Sequence, residues 1–132
     1  MSHLPLILVV EDNPANQLLT TSVLIRDGFD TEVADCAEDA LVSIKARKPD
    51  LILMDVQLPG MDGLTFAQSL GSVPEAAGVP IVALTSHAMR GDRERAIAAG
   101  CVGYLSKPID TRTLGDELRG HLQKNQPESL SA

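Results

Sequence analysis

Apolar runs and helix-period stretches alternate along this chain. Leu6-Ile7-Leu8-Val9-Val10 is an unbroken apolar run, the pattern of a strand buried on both faces. Asn13-Pro14 follows it, a helix cap with proline at the first helical position. Ala15, Leu18, Leu19 and Val23 then recur at helical spacing, and Gly28 ends that helix. Thr31 to Ala34 predicts a short second strand. Ala37, Ala40, Leu41 and Ile44 form the stripe of a second helix, which stops at Lys48-Pro49. Leu51-Ile52-Leu53-Met54 is another fully apolar strand and runs into Asp55. The segment from Gln57 to Gly63 is dense in turn residues, and a helix is expected from about Leu64 to Leu70. Gly71 to Pro80 holds two glycines and two prolines and reads as a connector without an evident role. Ile81 to Leu84 predicts the fourth strand, ending at Thr85. Arg93 to Ala99 predicts a helix closed by Gly100, and Val102 to Ser106 a fifth strand with Lys107-Pro108 directly after it. Asp110 can cap a last helix carrying Leu114, Leu118 and Leu122 on one face.

Five strand–helix units in succession imply an α/β fold: a doubly wound, five-stranded parallel sheet of order 2-1-3-4-5, flavodoxin-like, with helices on both faces. One domain is expected over residues 1–124, followed by a polar tail over 125–132. The length of 132 residues suits one domain, and 44% apolar with 22% charged residues suits an ordinary globular one. Eleven basic residues against 18 acidic ones give a net charge of −7, the wrong sign for a nucleic-acid surface. Phe29, Phe66 and Tyr104 are the only aromatics, too few for a base-stacking platform. Cys36 and Cys101 are too few to staple the fold and read as inert small residues, which favours a reducing compartment. The apolar start, Leu4 to Val10, is too short to span a membrane and has no basic leader. The expected location is cytoplasmic, with neither nucleic acid nor membrane as partner.

In open parallel sheets, ligands bind at the carboxyl ends of the strands. Here strand one ends in Glu11-Asp12, strand three in Asp55, strand four in Thr85 and strand five in Lys107. Three clustered carboxylates repel one another unless a cation sits among them. Magnesium suits oxygen ligands, keeps waters, and pairs naturally with carboxylates and phosphate. A lysine supplies a point charge for phosphate, and a threonine hydroxyl can donate to a phosphoryl oxygen. A central carboxylate can act as nucleophile toward phosphorus. The set suits phosphoryl transfer onto an aspartate.

These residues resemble the response-regulator receiver domain of two-component and phosphorelay signalling. The markers are Val10-Glu11-Asp12-Asn13, Leu53-Met54-Asp55, Pro59 to Gly63, Leu84-Thr85-Ser86 and Lys107-Pro108, spread between Leu6 and Leu122. The stretch from His87 to Glu94 looks most like receivers of hybrid histidine kinases. The resemblance implies Asp55 as phosphoacceptor, and Mg²⁺ (or Mn²⁺) on Asp12, Asp55 and the Gln57 carbonyl, with Glu11 through water. It implies Thr85 and Lys107 on the phosphoryl oxygens, Thr85 and Tyr104 as a switch pair, and a cis peptide at Lys107-Pro108. Ser86 stands where the family usually has alanine, and is small enough to keep phosphate access. Gln57 stands where the family tunes loss of the phosphoryl group. The implied partners are a histidine kinase or histidine phosphotransfer protein and a downstream protein target.

Plainer readings stand beside these. Glu11 and Asp12 can simply favour a helix start, Asp62 reads as a turn residue, and His87 as a solvated loop histidine. The whole chain can also be a non-phosphorylated interaction module on the same fold. A phosphoaspartate hydrolase would want a second acid two residues after the nucleophile, where this chain has Gln57. Because the five units use nearly all of the chain, the signal is expected to leave through the domain's own surface.

Overall fold

Three strands are buried along their whole length: β1 (Leu6–Val10), β3 (Leu51–Asp55) and β4 (Ile81–Thr85). Covered on both faces, they have no place for a polar alternation, which is why their sequences are continuous apolar runs. Two partly exposed strands, β2 (Asp30–Ala34) and β5 (Gly103–Ser106), flank them. The structure is a computed structural model that describes residues 4–85 and 91–124. The expected polar tail, Ser86 and His87 lie outside the described residues. The five strands pair in parallel in the order β2-β1-β3-β4-β5, as the element pattern predicts.

Five α-helices connect and cover the sheet among the described residues: α1 (Pro14–Arg26), α2 (Ala37–Ala46), α3 (Gly63–Ser69), α4 (Asp92–Ala98) and α5 (Leu114–Lys124). Successive strand residues point to opposite faces and divide the core in two. Ile7, Val9, Leu51, Leu53, Val82 and Leu84 pack against Val23 and Leu24 of α1 and Leu114 and Leu118 of α5. Leu8, Val10, Ile52, Met54 and Ala83 pack against residues of α2, α3 and α4, among them Ile44, Phe66 and Ala96. None of the described helices is long and apolar enough to cross a membrane.

Local chemistry sets the element ends. The Asn13 side chain accepts from the Asn16 amide at 3.0 Å, and Pro14 opens α1 behind it. Gly28, at φ +94°, lets the chain leave α1 and bring the Phe29 amide back to the Leu24 carbonyl at 2.9 Å. Two expectations need correction. Asp110 does not cap α5 directly: its carboxylate accepts from the Arg112 amide at 2.9 Å and its carbonyl from Leu114 at 3.0 Å. It folds the turn that leads into a helix beginning at Leu114. The 71–80 connector is also not idle. A 3₁₀ turn at Leu70–Ser72 leads into it and a second lies at Pro74–Ala76, and it packs Val73, Ala76 and Val79 onto the core.

The packing predicts sharply unequal costs for one substitution type. Leu118→Ala, at a fully buried site, should cost about 2–5 kcal/mol. Leu18→Ala, at 69% exposure, should stay within about 0.5 kcal/mol. Denaturant unfolding of both variants checks this, and equal effects would contradict the assignment of the α5 face to the core.

Candidate functional site

Parallel pairing in register brings the strand ends together. Val10 lies beside Met54, Asp55 beside Leu84, and Thr85 beside Ser106. Polar residues at or just after these ends therefore share one edge, although 96 positions separate Glu11 from Lys107. The Lys107 ammonium lies 2.6 Å from Asp55 Oδ2 and 2.8 Å from Glu11 Oε1. The other oxygen of each acid accepts a backbone amide: Gln57 N–H to Asp55 Oδ1 at 2.9 Å and Asn13 N–H to Glu11 Oε2 at 3.2 Å. Glu11, Asp55 and Thr85 are buried at 2–4% exposure, whereas Asp12 faces solvent. The Lys107 amide donates to the Thr85 carbonyl at 2.7 Å, so strand pairing continues up to the site.

Burying carboxylates is costly unless they are paired and hydrogen-bonded. Burial pushes the Glu11 carboxyl above its ordinary range, and the nearby Asp55 charge adds to this, while Lys107 and the Asn13 amide oppose it. Burial alone would lower the Lys107 pKa; its hydrogen bonds to Asp55 and Glu11 outweigh that and raise it, so the ammonium stays charged. One lysine still cannot balance three carboxylates. Glu11, Asp12 and Asp55 offer oxygens within 4.8 Å of one another, a set that fits a hard divalent cation. Exposed Asp12 would leave such an ion open to water on one side, as magnesium prefers.

The β3–α3 loop is folded tightly under Asp55. A Cβ on Gly63 would lie 2.4 Å from the Asp55 carbonyl oxygen, so only glycine fits that approach. Asp62 caps α3 by accepting from the Thr65 amide at 3.3 Å, consistent with its plain reading as a turn residue. The Lys107–Pro108 peptide is cis, and Tyr104 stands on β5 three residues before Lys107. Thus the structure brings Glu11, Asp12, Asp55 and Lys107 into one cluster, with Thr85 on the adjoining strand. Gln17 was not legible beforehand. Its amide donates to the Glu11 carbonyl at 2.6 Å and to Asp35 Oδ1 at 2.7 Å, tying the acidic segment to the β2–α2 turn. A polar side chain on a helical face carries no signal of such a cross-link.

Residues 7–119 match the response regulator receiver domain family. The polar-differentiation response regulator DivK of Brucella ovis is 35% identical over 116 residues, covering 88% of this chain and 94% of that protein. A CheY-like receiver domain protein from Methanospirillum hungatei JF-1 superposes with a TM-score of 0.86 at 26% identity, covering 96% of this chain and 99% of that one. The receiver domain of the sensor histidine kinase PA1611 from Pseudomonas aeruginosa PAO1 has a TM-score of 0.78 at 35% identity, covering 92% and 97%. That structure has a magnesium ion coordinated in its active-site cleft. A parallel sheet whose strand ends converge on clustered acids and a lysine, matched over nearly its full length, defines the class: this chain belongs to the response-regulator receiver domains of two-component signalling.

Lys107→Met should leave buried Glu11 and Asp55 without their shared counter-charge, at a cost of about 3–5 kcal/mol. The sign with pH follows from Glu11, whose folded pKa lies above its ordinary value. The folded state then binds the proton more tightly than the unfolded one, so the variant should regain stability as pH falls from neutral through that raised pKa. Urea unfolding at mildly acidic and mildly alkaline pH checks this; a loss independent of pH would contradict it.

Proposed function

We propose that this receiver accepts a phosphoryl group from a phosphohistidine onto Asp55 in a Mg²⁺-dependent reaction. The observation that carries the reading is the Asp55 carboxylate itself: buried at a strand end, contacted by Lys107 at 2.6 Å, and beside two further acids. An Asp55 oxygen attacks phosphorus in line, an O–P bond forms, the P–N bond to the donor breaks, and its electron pair returns to the imidazole ring. Lys107 then transfers its hydrogen bond to a phosphoryl oxygen, and the Thr85 hydroxyl donates to another. Magnesium held by Asp12, Asp55 and the Gln57 carbonyl, with Glu11 through water, would supply charge neutralisation at those oxygens, and Mn²⁺ offers the same ligand chemistry. Glu11, anchored by the Asn13 amide and Gln17, holds that pocket in shape.

The new group adds about −1.5 to −2 charge. Thr85 turns toward it, Tyr104 follows, and the α4–β5–α5 surface shifts its population toward the form a downstream protein recognises. The donor is a histidine kinase or a histidine phosphotransfer protein. Support for a helical donor comes from α1, which carries no charge from Pro14 to Ile25 and exposes Leu18 (69%), Leu19 and Ile25, with Leu19 lining a small pocket together with Glu11 and Lys107. The free cysteines and the absence of a membrane-crossing helix among the described residues support a cytoplasmic placement. The functional unit is the 1–124 segment.

Incubation with Mg²⁺ and acetyl phosphate should add one phosphoryl group by intact mass. Chelation of the metal or Asp55→Asn should abolish it. An unchanged wild-type mass would favour the non-phosphorylated interaction module, and a gain that survives Asp55→Asn would move the acceptor elsewhere. Leu18→Lys should slow transfer from a phosphohistidine protein by about tenfold, equivalent to ~1.4 kcal/mol, and leave the acetyl phosphate reaction unaltered. Equal slowing with both donors would remove α1 from the docking surface.

A further inference from the structure

The polar edge of the sheet continues past the acidic cluster. Between the β3–α3 loop, β4, α4 and β5 lies a cavity of about 250 Å³. Thr85 and Tyr104 line it from the sheet, Asp92 and Arg95 from α4, and Gln57 and Asp62 from the loop. The Tyr104 hydroxyl is enclosed, and among the described residues no hydrogen bond of good geometry satisfies it. An enclosed hydroxyl without a partner is costly, so it marks a contact that completes in a neighbouring arrangement of the same side chains.

Thr85 and Asp92 line this cavity together with Tyr104. Asp92 is the first residue of α4, its side chain only 21% exposed, and its Oδ1 lies 3.4 Å from the Arg95 guanidinium. Arg95 is itself 65% exposed, a weak competitor for the carboxylate. Burial and the Asp92 charge push the Tyr104 phenol above its ordinary value, and the neighbouring Thr85 hydroxyl works against this. The two neighbours therefore act on the same hydroxyl in opposite senses.

We propose that Asp92 is the acceptor for the Tyr104 hydroxyl and so a positioning residue that ties the first turn of α4 to β5. The inference rests on the reading of Thr85 and Tyr104 as a switch pair. When Thr85 turns to a phosphoryl oxygen on Asp55, Asp92 is the acceptor still within reach of the phenol. Tyr104 settles on it, and a change at the end of β4 becomes a change in where α4 starts. Asp92 thereby converts a side-chain movement into a movement of a helix.

Tyr104 is the chain's single tyrosine and the chain has no tryptophan, so its phenolate absorbance and its fluorescence report this cavity alone. Among the described residues, the charged groups lining this cavity are Asp92 and Arg95 from α4 and Asp62 from the loop. In the unphosphorylated protein, Asp92→Asn should lower the Tyr104 titration midpoint toward about 10. Arg95→Ala should raise it, because the carboxylate loses its counter-charge, and Asp62→Asn should move it less than Asp92→Asn does. Circular dichroism over the same pH range confines the titration to folded protein. A midpoint unmoved by Asp92→Asn, or shifts of one sign from both α4 variants, overturns the proposal. With Mg²⁺ and acetyl phosphate, Asp92→Asn should gain the same mass as wild type and lose most of the accompanying change in Tyr104 fluorescence. Full retention of that change also overturns it. If wild type gains no mass, the phosphoacceptor reading falls, while the titration still decides the Asp92 contact.

Discussion

The pairing of Lys107 with two buried acids is the constraint on which the rest of the edge depends. Its ammonium, at 2.6 Å from Asp55 and 2.8 Å from Glu11, is what permits two carboxylates to sit almost without solvent at the end of an apolar sheet. The backbone amides of Gln57 and Asn13 complete the coordination of both acids. The balance remains incomplete on the side of Asp12, and that deficit is the physical reason the cluster suits a divalent cation. A fully neutralised cluster would be a structural ion pair and no more.

Maintaining that arrangement occupies several elements. β1, β3 and β4 are buried along their lengths, so a one-residue slip would turn every core side chain to the wrong face. The same register that protects the core aligns Glu11, Asp55, Thr85 and Lys107. Gly63 lets the loop pass within contact distance of the Asp55 carbonyl, and Gln17 ties the Glu11 segment to the β2–α2 turn. Stability and site geometry thus rest on the same contacts, and the polar edge extends from the acids through Thr85 to Tyr104 and α4.

Much of this was legible in advance because the signals are local. A continuous apolar run marks a doubly covered strand, an Asn-Pro pair marks a helix start, and a polar residue ending such a run falls at the ligand edge. Glu11, Asp12, Asp55, Thr85 and Lys107 were all readable this way. Gln17 and Asp92 were not: each is an ordinary polar helix residue until a distant segment is packed against it. Asp110 misled because a carboxylate near a helix start can cap it or fold the preceding turn, and only the backbone path separates the two. The 71–80 connector misled because its small apolar residues lack a period.

By itself, then, the sequence determined the elements, their order, the apolar faces and the list of polar residues at the strand ends, all of which follow from patterns a few residues long. The tertiary structure decided which atoms meet. Lys107 bridging Glu11 and Asp55, the open flank at Asp12, and the Tyr104 hydroxyl enclosed beside Thr85 and Asp92 join residues far apart in the chain. Their encounter depends on strand register and on where α1 and α4 pack. Those are properties of the whole core, and no local window of the chain contains them.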